Sequence, residues 1–361
     1  GVNPTSAISP PPVQQIMALP FHLGPPRPAQ TLGPHELLTV TPDGARALYA
    51  LPTSPHGLAL CEIPTDITGT RALLPPGPAA CAHTHGASLL LRVSGSSKIG
   101  YAAGGPSAAR WSPDGQTLAL AIHRYDHGFI GLYRRGADRL QWVAPSLDTD
   151  DMPRWSADGT RLAFLRFRAD ALDADGLASF NRGIPDGPPF SIFVADVAHA
   201  RRNLPGHGQG AGRPRRSGDV PVREVHREWG HGYPGLGANG YGTRPLLWAA
   251  NDTRILVGSE ASGFVRVLSV DAAGDVRAGT SASVALTNAG CDTQDWRLSP
   301  GGGEELYTSH NCDDVDALGV ARVQVRTGVT TSVVAGSVPT IAGMGAFDAG
   351  GDDGSGLLPL G

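Results

Sequence analysis

Trp111-Ser112-Pro113-Asp114-Gly115-Gln116-Thr117-Leu118-Ala119-Leu120 is answered further along the chain by Trp155-Ser156-Ala157-Asp158-Gly159-Thr160-Arg161-Leu162-Ala163-Phe164. In each, Ser opens a type I turn, Pro or Ala takes its second position, Asp the third, and Gly the left-handed position that follows. The turn joins two short segments that read as antiparallel strands of alternating apolar and polar residues, with the Trp as a large inward-facing anchor. Working outward, a third copy is Thr41-Pro42-Asp43-Gly44 followed by Ala45-Arg46-Ala47-Leu48-Tyr49. Weaker copies are Trp248-Ala249-Ala250-Asn251-Asp252-Thr253 and Trp296-Arg297-Leu298-Ser299-Pro300-Gly301.

Gly115 and Gly159 stand 44 residues apart. That is the length of one four-stranded blade of a β-propeller. Gly159 to Asp252 reads as two periods and Asp252 to Gly301 as one. A further period lands on Phe347-Asp348-Ala349-Gly350-Gly351, a degraded form of the turn. The sequence therefore predicts an all-β chain, a propeller of five to six four-stranded blades plus a truncated one. Residues 1–34 read as a Pro-rich N-terminal segment with a short helix over Val13 to Leu19. Residues 35–343 read as the propeller, with a loop inserted at about 203–244, and residues 344–361 as a truncated blade or disordered tail. The inserted stretch is rich in Gly, Pro and Arg, which offer little apolar surface to offset the entropy of ordering.

The composition agrees: 49 Gly and 31 Pro in 361 residues, with 17% charged, describe a chain of many turns and few polar helices. A net charge of −4 gives no reason to expect nucleic acid or an anionic membrane as partner. The basic run from Arg201 to Arg216 lies in Gly/Pro-rich sequence and reads as a solvated loop. No stretch is apolar for long enough to span a membrane. A soluble protein is expected, cytoplasmic or organellar rather than secreted, and the Asn251-Asp252-Thr253 glycosylation acceptor is too short a motif to decide otherwise.

No complete catalytic apparatus is visible. A Gly-x-Ser-x-Gly elbow, which sets a serine nucleophile on a strained strand-to-helix turn, occurs nowhere in the chain. His226-Arg227-Glu228-Trp229-Gly230-His231 has the wrong spacing for a His-Glu-x-x-His zinc helix and a Gly inside it. Asp170, Asp173, Asp175 and Gly176 have the outline of a calcium loop, but Ala171 and Arg182 stand where two carboxylates are needed. His83 and His85 supply two ligands without a third. Asp148-Thr149-Asp150-Asp151 reads as a solvated turn. Glu304 and Glu305 begin a return strand, where neighbours point to opposite faces and cannot clamp one amine. No catalytic residue, cofactor or metal is predicted.

Four cysteines, Cys61, Cys81, Cys291 and Cys312, are too few and too far apart for a disulfide framework. One pairing can still be read. Cys291 and Cys312 lie symmetrically about the turn at Pro300 to Gly303, so an unbroken register places them opposite, with Cα atoms within about 7 Å. A slip or bulge in the hairpin would part them.

Several stretches go beyond a generic propeller. Val13-Gln14-Gln15-Ile16-Met17-Ala18-Leu19-Pro20, Asp151-Met152-Pro153-Arg154-Trp155, Gly187-Pro188-Pro189-Phe190-Ser191-Ile192-Phe193-Val194-Ala195-Asp196-Val197, Leu246-Leu247-Trp248-Ala249 and Leu298-Ser299-Pro300 follow in order. In this the chain resembles the propeller domain of dipeptidyl peptidase IV-like and acylaminoacyl peptidase-like members of the prolyl oligopeptidase family, whose Pro-Asp-Gly turns are shared with TolB-like propellers. The resemblance runs from about Pro11 to Val334. It implies a non-catalytic propeller that limits access to, and helps recognise peptides for, an α/β-hydrolase domain that this chain lacks. The family's paired-glutamate motif has no counterpart here, so aminopeptidase specificity does not carry over. The alternative is a free-standing TolB-like propeller that binds a protein or peptide on its end face.

Overall fold

A computed structural model describes residues 14–18, 27–32, 36–52, 57–65, 81, 87–94, 98–99, 109–123, 127–167, 190–198, 220–228, 246–259, 261–314 and 317–339. Two strands, β1 (Gln14–Ala18) and β2 (Arg27–Leu32), form a small antiparallel sheet. The helix expected over Val13 to Leu19 is therefore a strand; its apolar residues do not repeat at helical spacing over enough turns to favour a helix.

Among the described residues five antiparallel four-strand units follow, and they are the blades. Blade 1 is β3 (Glu36–Val40), β4 (Arg46–Pro52), β5 (Gly57–Pro64) and β6 (Ser88–Ser94). A two-residue strand, β7 (Lys98–Ile99), pairs with the second strand of blade 2. Blade 2 is β8 (Ala109–Trp111), β9 (Thr117–His123), β10 (Gly128–Arg134) and β11 (Gln141–Val143). Blade 3 is β12 (Thr149–Trp155), β13 (Arg161–Phe167), β14 (Phe190–Asp196) and β15 (Val222–Glu228). Blade 4 is β16 (Leu247–Ala249), β17 (Arg254–Ser259), β18 (Arg266–Asp271) and β19 (Ser283–Ala285). Blade 5 is β20 (Thr293–Leu298), β21 (Glu305–Asp314), β22 (Ala317–Gln324) and β23 (Thr330–Pro339). One parallel bridge, Gly128 at the start of β10 opposite Thr149 at the start of β12, joins blades 2 and 3.

Two expectations change. Among the described residues, the stretch from Gly159 to Asp252 supplies the strands of one blade and not of two, with β13, β14 and β15 pairing in order across wide sequence separations. The stretch 203–244 is not a single loop: β15 lies within it, with Val220 and Val225 buried. The rest of that stretch, like residues 344–361, lies outside the described residues.

The strands also depart from simple alternation. Every residue of β9 is buried, and so is most of β13. Blades stacked face to face cover both sides of each sheet, so their strands read as continuous apolar runs. One core cluster holds Leu48, Leu60, Trp111, Leu118, Ile130 and Phe164, drawn from blades 1, 2 and 3. A second holds Phe167, Ile192, Ile255 and Val270 between blades 3 and 4, and a third Leu256, Trp296, Leu306 and Val323 between blades 4 and 5.

The turn between the first two strands is built alike in blades 1 to 3. Gly44, Gly115 and Gly159 have φ of 69°, 64° and 65°, which a residue with a Cβ adopts only at a cost. Thr41, Ser112 and Ser156 each donate a hydroxyl to the Asp two residues on, at 2.5–2.6 Å. The same carboxylates accept the backbone N–H of Ala45, Gln116 and Thr160. Blades 4 and 5 use different turns: Ala250, Asn251 and Asp252 are all left-handed, as are Gly301, Gly302 and Gly303.

Candidate functional site

A meandering four-strand blade has two ends. The hairpin turns just described gather at one, and each inner strand (β3, β8, β12, β16, β20) begins at the other. At the turn end, neighbouring blades close on one another. A Cβ on Gly159 would meet Pro113 Cδ at 3.2 Å, and one on Gly115 would meet Pro42 Cδ at 3.7 Å. Asp252 accepts the N–H of Ala157 at 2.8 Å, while Ala250 and Asn251 donate to the carbonyls of Gly303 and Gly302. Arginines tie the same junctions. Arg135 grips the buried Glu62 of blade 1 with two N–H groups, at 3.0 and 2.8 Å, and lies over Trp111. Arg161 donates to Asp252 O and lies over Trp248. Arg326 donates to Ala250 O and to Glu304. An open cleft of about 410 Å³ lies beside Thr160, Arg161, Asp196 and Arg223. Its two arginines are spent on carbonyls of blade 4, Arg161 on Asp252 and Arg223 on Ala272 and Gly274.

The entry end, where inner strands begin, is different. The pairing of the inner strand with its neighbour shifts register at Leu37/Thr39 in blade 1, between Asp151 and Arg154 in blade 3, and between Thr293 and Asp295 in blade 5. Bulges of this kind re-aim the side chains beyond them. In blade 3 the bulge leaves Met152 left-handed, with its N–H taken by the Asp151 carboxylate at 2.7 Å. Beyond it, Asp150 is fully buried and receives both Nε and a terminal nitrogen of Arg166, at 2.6 and 2.9 Å. Arg166 also donates to Ala144 O and lies 4.7 Å from the Phe193 ring. Asp148 to Asp151, expected as a solvated turn, is instead buried strand from Thr149 on. A charge can be buried there only because Arg166 arrives from the next strand.

Burial pushes the Asp150 carboxyl up to about 7, and the hydrogen bonds and charge of Arg166 pull it back down only in part. Burial lowers the Arg166 guanidinium, but the bonds to Asp150 outweigh this and leave it above its ordinary value. Both Asp150 oxygens accept from the one guanidinium, a two-point contact that fixes the orientation of the pair. One layer outward, Glu224 accepts from Ser191 at 2.6 Å and from Arg227. Burial raises Glu224, yet those hydrogen bonds prevail and hold it below the usual carboxylate range.

Blade 5 repeats the arrangement with other chemistry. Cys291 stands five residues before Trp296, as Asp150 stands five before Trp155. It is bonded to Cys312, Cα to Cα 5.0 Å. The expected adjacency holds, and the bulge is its cause rather than its obstacle. Leu298 pairs with Leu306, a register that would set Cys291 opposite residue 313; beyond the bulge Thr293 pairs with His310, which sets Cys291 opposite Cys312. The aspartate that follows each position reaches back to the preceding blade. Asp151 lies 3.9 Å from His123 at the end of β9, and Asp292 accepts the N–H of Val265 in the β17–β18 hairpin at 2.9 Å. A second disulfide, Cys61–Cys81 in blade 1, was not foreseen; Cys81 sits in a long connection whose course no local rule gives.

The remaining sequence candidates do not converge. Glu304 binds Asn251 and Arg326, whereas Glu305 binds Gln324 and lies 3.8 Å from Arg322. His226 contacts Glu228 in a strand, not on a helix. His83, His85, Asp170, Asp173, Asp175 and the run from Arg201 to Arg216 lie outside the described residues. Among the described residues no three ligating side chains gather to hold a metal, and no helix is long and apolar enough to cross a membrane.

The fold is thus that of a β-propeller with four-stranded blades. No protein-family model matches the sequence, and no curated protein matches it. Among solved structures it is similar to TolB from Acinetobacter baumannii, at 14% identity and a TM-score of 0.40, covering 87% of this chain and 57% of that one. It is also similar to a putative TolB from Agrobacterium tumefaciens, at 14% identity and TM-score 0.41, covering 87% and 86%. A third is prolyl oligopeptidase B from Galerina marginata, solved with a 35mer hydrolysis and macrocyclization substrate, at 12% identity and TM-score 0.47. The match covers 83% of this chain and spans about a third, 34%, of that enzyme.

Proposed function

We propose that the chain is the non-catalytic propeller part of a prolyl oligopeptidase-like serine peptidase, which admits and recognises peptides for an α/β-hydrolase domain. The peptide meets it at the entry end. One contrast carries this reading: the turns between first and second strands are tied to the neighbouring blades, whereas the entry end carries the register shifts of blades 1, 3 and 5 beside the exposed side chains Leu147 and Phe264. Bulges gather beside sites where a partner is met, because they re-aim the side chains next to them. The pairing of all four cysteines supports an oxidising compartment over the cytoplasmic one that composition alone suggests.

The test is a peptide-array binding measurement with the purified chain, parent against Leu147→Asp and Phe264→Asp, alongside labelling with a fluorophosphonate serine probe. Binding that both substitutions weaken, with no serine labelled, is the expected result. A labelled serine would overturn the non-catalytic reading. Binding unaffected by either substitution would move the site elsewhere. Binding to folded proteins but to no peptide would favour the free-standing TolB-like alternative.

A further inference from the structure

The two disulfides differ in what surrounds them. Cys61 and Cys81 are both fully buried, packed with Ala47, Tyr49, Ala59 and Ile63 inside blade 1, and Tyr49 donates its hydroxyl to the Cys81 carbonyl at 3.1 Å. Cys312 is exposed, and its partner Cys291 lies just beneath it. A dithiol must reach a sulfur in line to attack it, so access separates the two bonds before any difference in their chemistry does.

The exposed bond also brackets a small network. Between its half-cystines, Asp292 and Asn311 bond each other twice: Asp292 N–H to Asn311 Oδ1 at 2.8 Å, and Asn311 N–H to Asp292 O at 3.2 Å. The Asp292 carboxylate then holds Val265 N–H, and Val265 O accepts Thr293 N–H at 2.8 Å. Val265 follows Phe264, one of the exposed apolar side chains of the entry end. In blade 3 the same position is closed by Asp150 and Arg166, a pair that no thiol can open.

We propose that Cys291–Cys312 is a redox-addressable latch that fixes the β17–β18 hairpin to blade 5, and that Cys61–Cys81 is its inert structural counterpart. Opening it is a balanced exchange. A dithiol gives two electrons and two protons, the S–S bond breaks to two thiols on the chain, and the reductant leaves as its own disulfide. The latch does not depend on what the entry end binds.

The experiment is a dithiothreitol titration of the native protein, trapped with N-ethylmaleimide and mapped by peptide mass, with amide hydrogen exchange read over residues 261–267. Cys291 and Cys312 should be alkylated at a dithiothreitol concentration at least about tenfold below that needed for Cys61 and Cys81. Exchange of the Val265 amide should rise several-fold at the same point. The variant Cys291→Ser with Cys312→Ser should show the faster exchange with no reductant present. Reduction of both bonds together, reduction of Cys61–Cys81 first, or resistance of both until the chain unfolds would each overturn the assignment of roles. Unchanged Val265 exchange in the reduced protein and the double variant would overturn the latch.

Discussion

Trp248 donates its indole N–H to the carbonyl oxygen of Arg154, one blade away, at 2.9 Å. Trp155 does the same to Arg110 at 3.0 Å. In blades 3 and 4 the repeat tryptophan is therefore more than apolar bulk: it stitches the inner strand of its blade to that of the blade before. Trp248→Phe keeps most of the apolar contact and removes the donor, leaving a carbonyl without its partner. The cost should be about 1–2 kcal/mol. Urea midpoints of parent and variant measure it, and a change within error would show that water replaces the indole.

The three glycines of the blade 5 turn should not be equivalent. Gly301, Gly302 and Gly303 are all left-handed, so Ala at each is strained by about 1 kcal/mol or more. A methyl on Gly301 meets nothing within 4 Å, whereas one on Gly302 runs into the Asn251 side chain. Gly302→Ala should therefore lower the thermal midpoint further than Gly301→Ala. Adding Asn251→Ala should recover part of the difference, and a thermal shift series on the three variants decides it.

Asp150 gives a pH dependence with a definite sign. Its folded value, about 7, lies above the ordinary 3.8 because burial disfavours the charged form. The folded chain thus binds this proton more tightly than the unfolded chain. The stabilisation is complete below about pH 3.8 and is lost as pH rises to about 7. Asp150→Asn, which does not titrate, escapes that loss while carrying a constant penalty for the unpaired Arg166. The stability gap between parent and variant should narrow from pH 4 to pH 7 in urea titrations. A gap that widens would mean that Arg166 dominates and holds the carboxyl below its ordinary value.

The buried disulfide should matter to stability whatever its neighbour does. Closing a loop of this length restricts the unfolded chain by about 3 kcal/mol. Cys61→Ser with Cys81→Ser should lower stability by that order in urea titrations without reductant. A double variant as stable as the parent would show that the bond forms without contributing.

Local chemistry made the turns readable. Ser-Pro-Asp-Gly and Thr-Pro-Asp-Gly specify their own hydrogen bonds within six residues, and the structure places the predicted turns at Thr41, Ser112 and Ser156. Blade boundaries were legible only where connections are short, so the long links inside blade 3 mimicked an extra period. The entry end was nearly invisible. Four acidic or hydroxylic residues at Asp148 to Asp151 look like solvent-facing sequence, and the arginine that buries them comes from the far end of the next strand. A signal did exist: an aspartate stands four residues before the repeat tryptophan in both blade 3 and blade 5, Asp151 and Asp292, with a residue able to cross-link strands just ahead of it. It is a pattern of two copies among five, too sparse to weigh without the register that gives it meaning.

The turns also bear on how such a chain can be rearranged. In blades 1 to 3 each turn completes its own bonds and meets its neighbour's turn through a proline against a glycine, so the three turns present one another with the same kind of surface. Ala250 to Asp252 breaks that pattern: its amides are committed to Gly302 and Gly303 on one side, and its carboxylate to Ala157 on the other. The turn of blade 4 is thus a keystone between blades 3 and 5, and a blade inserted on either side of it would have to replace those bonds.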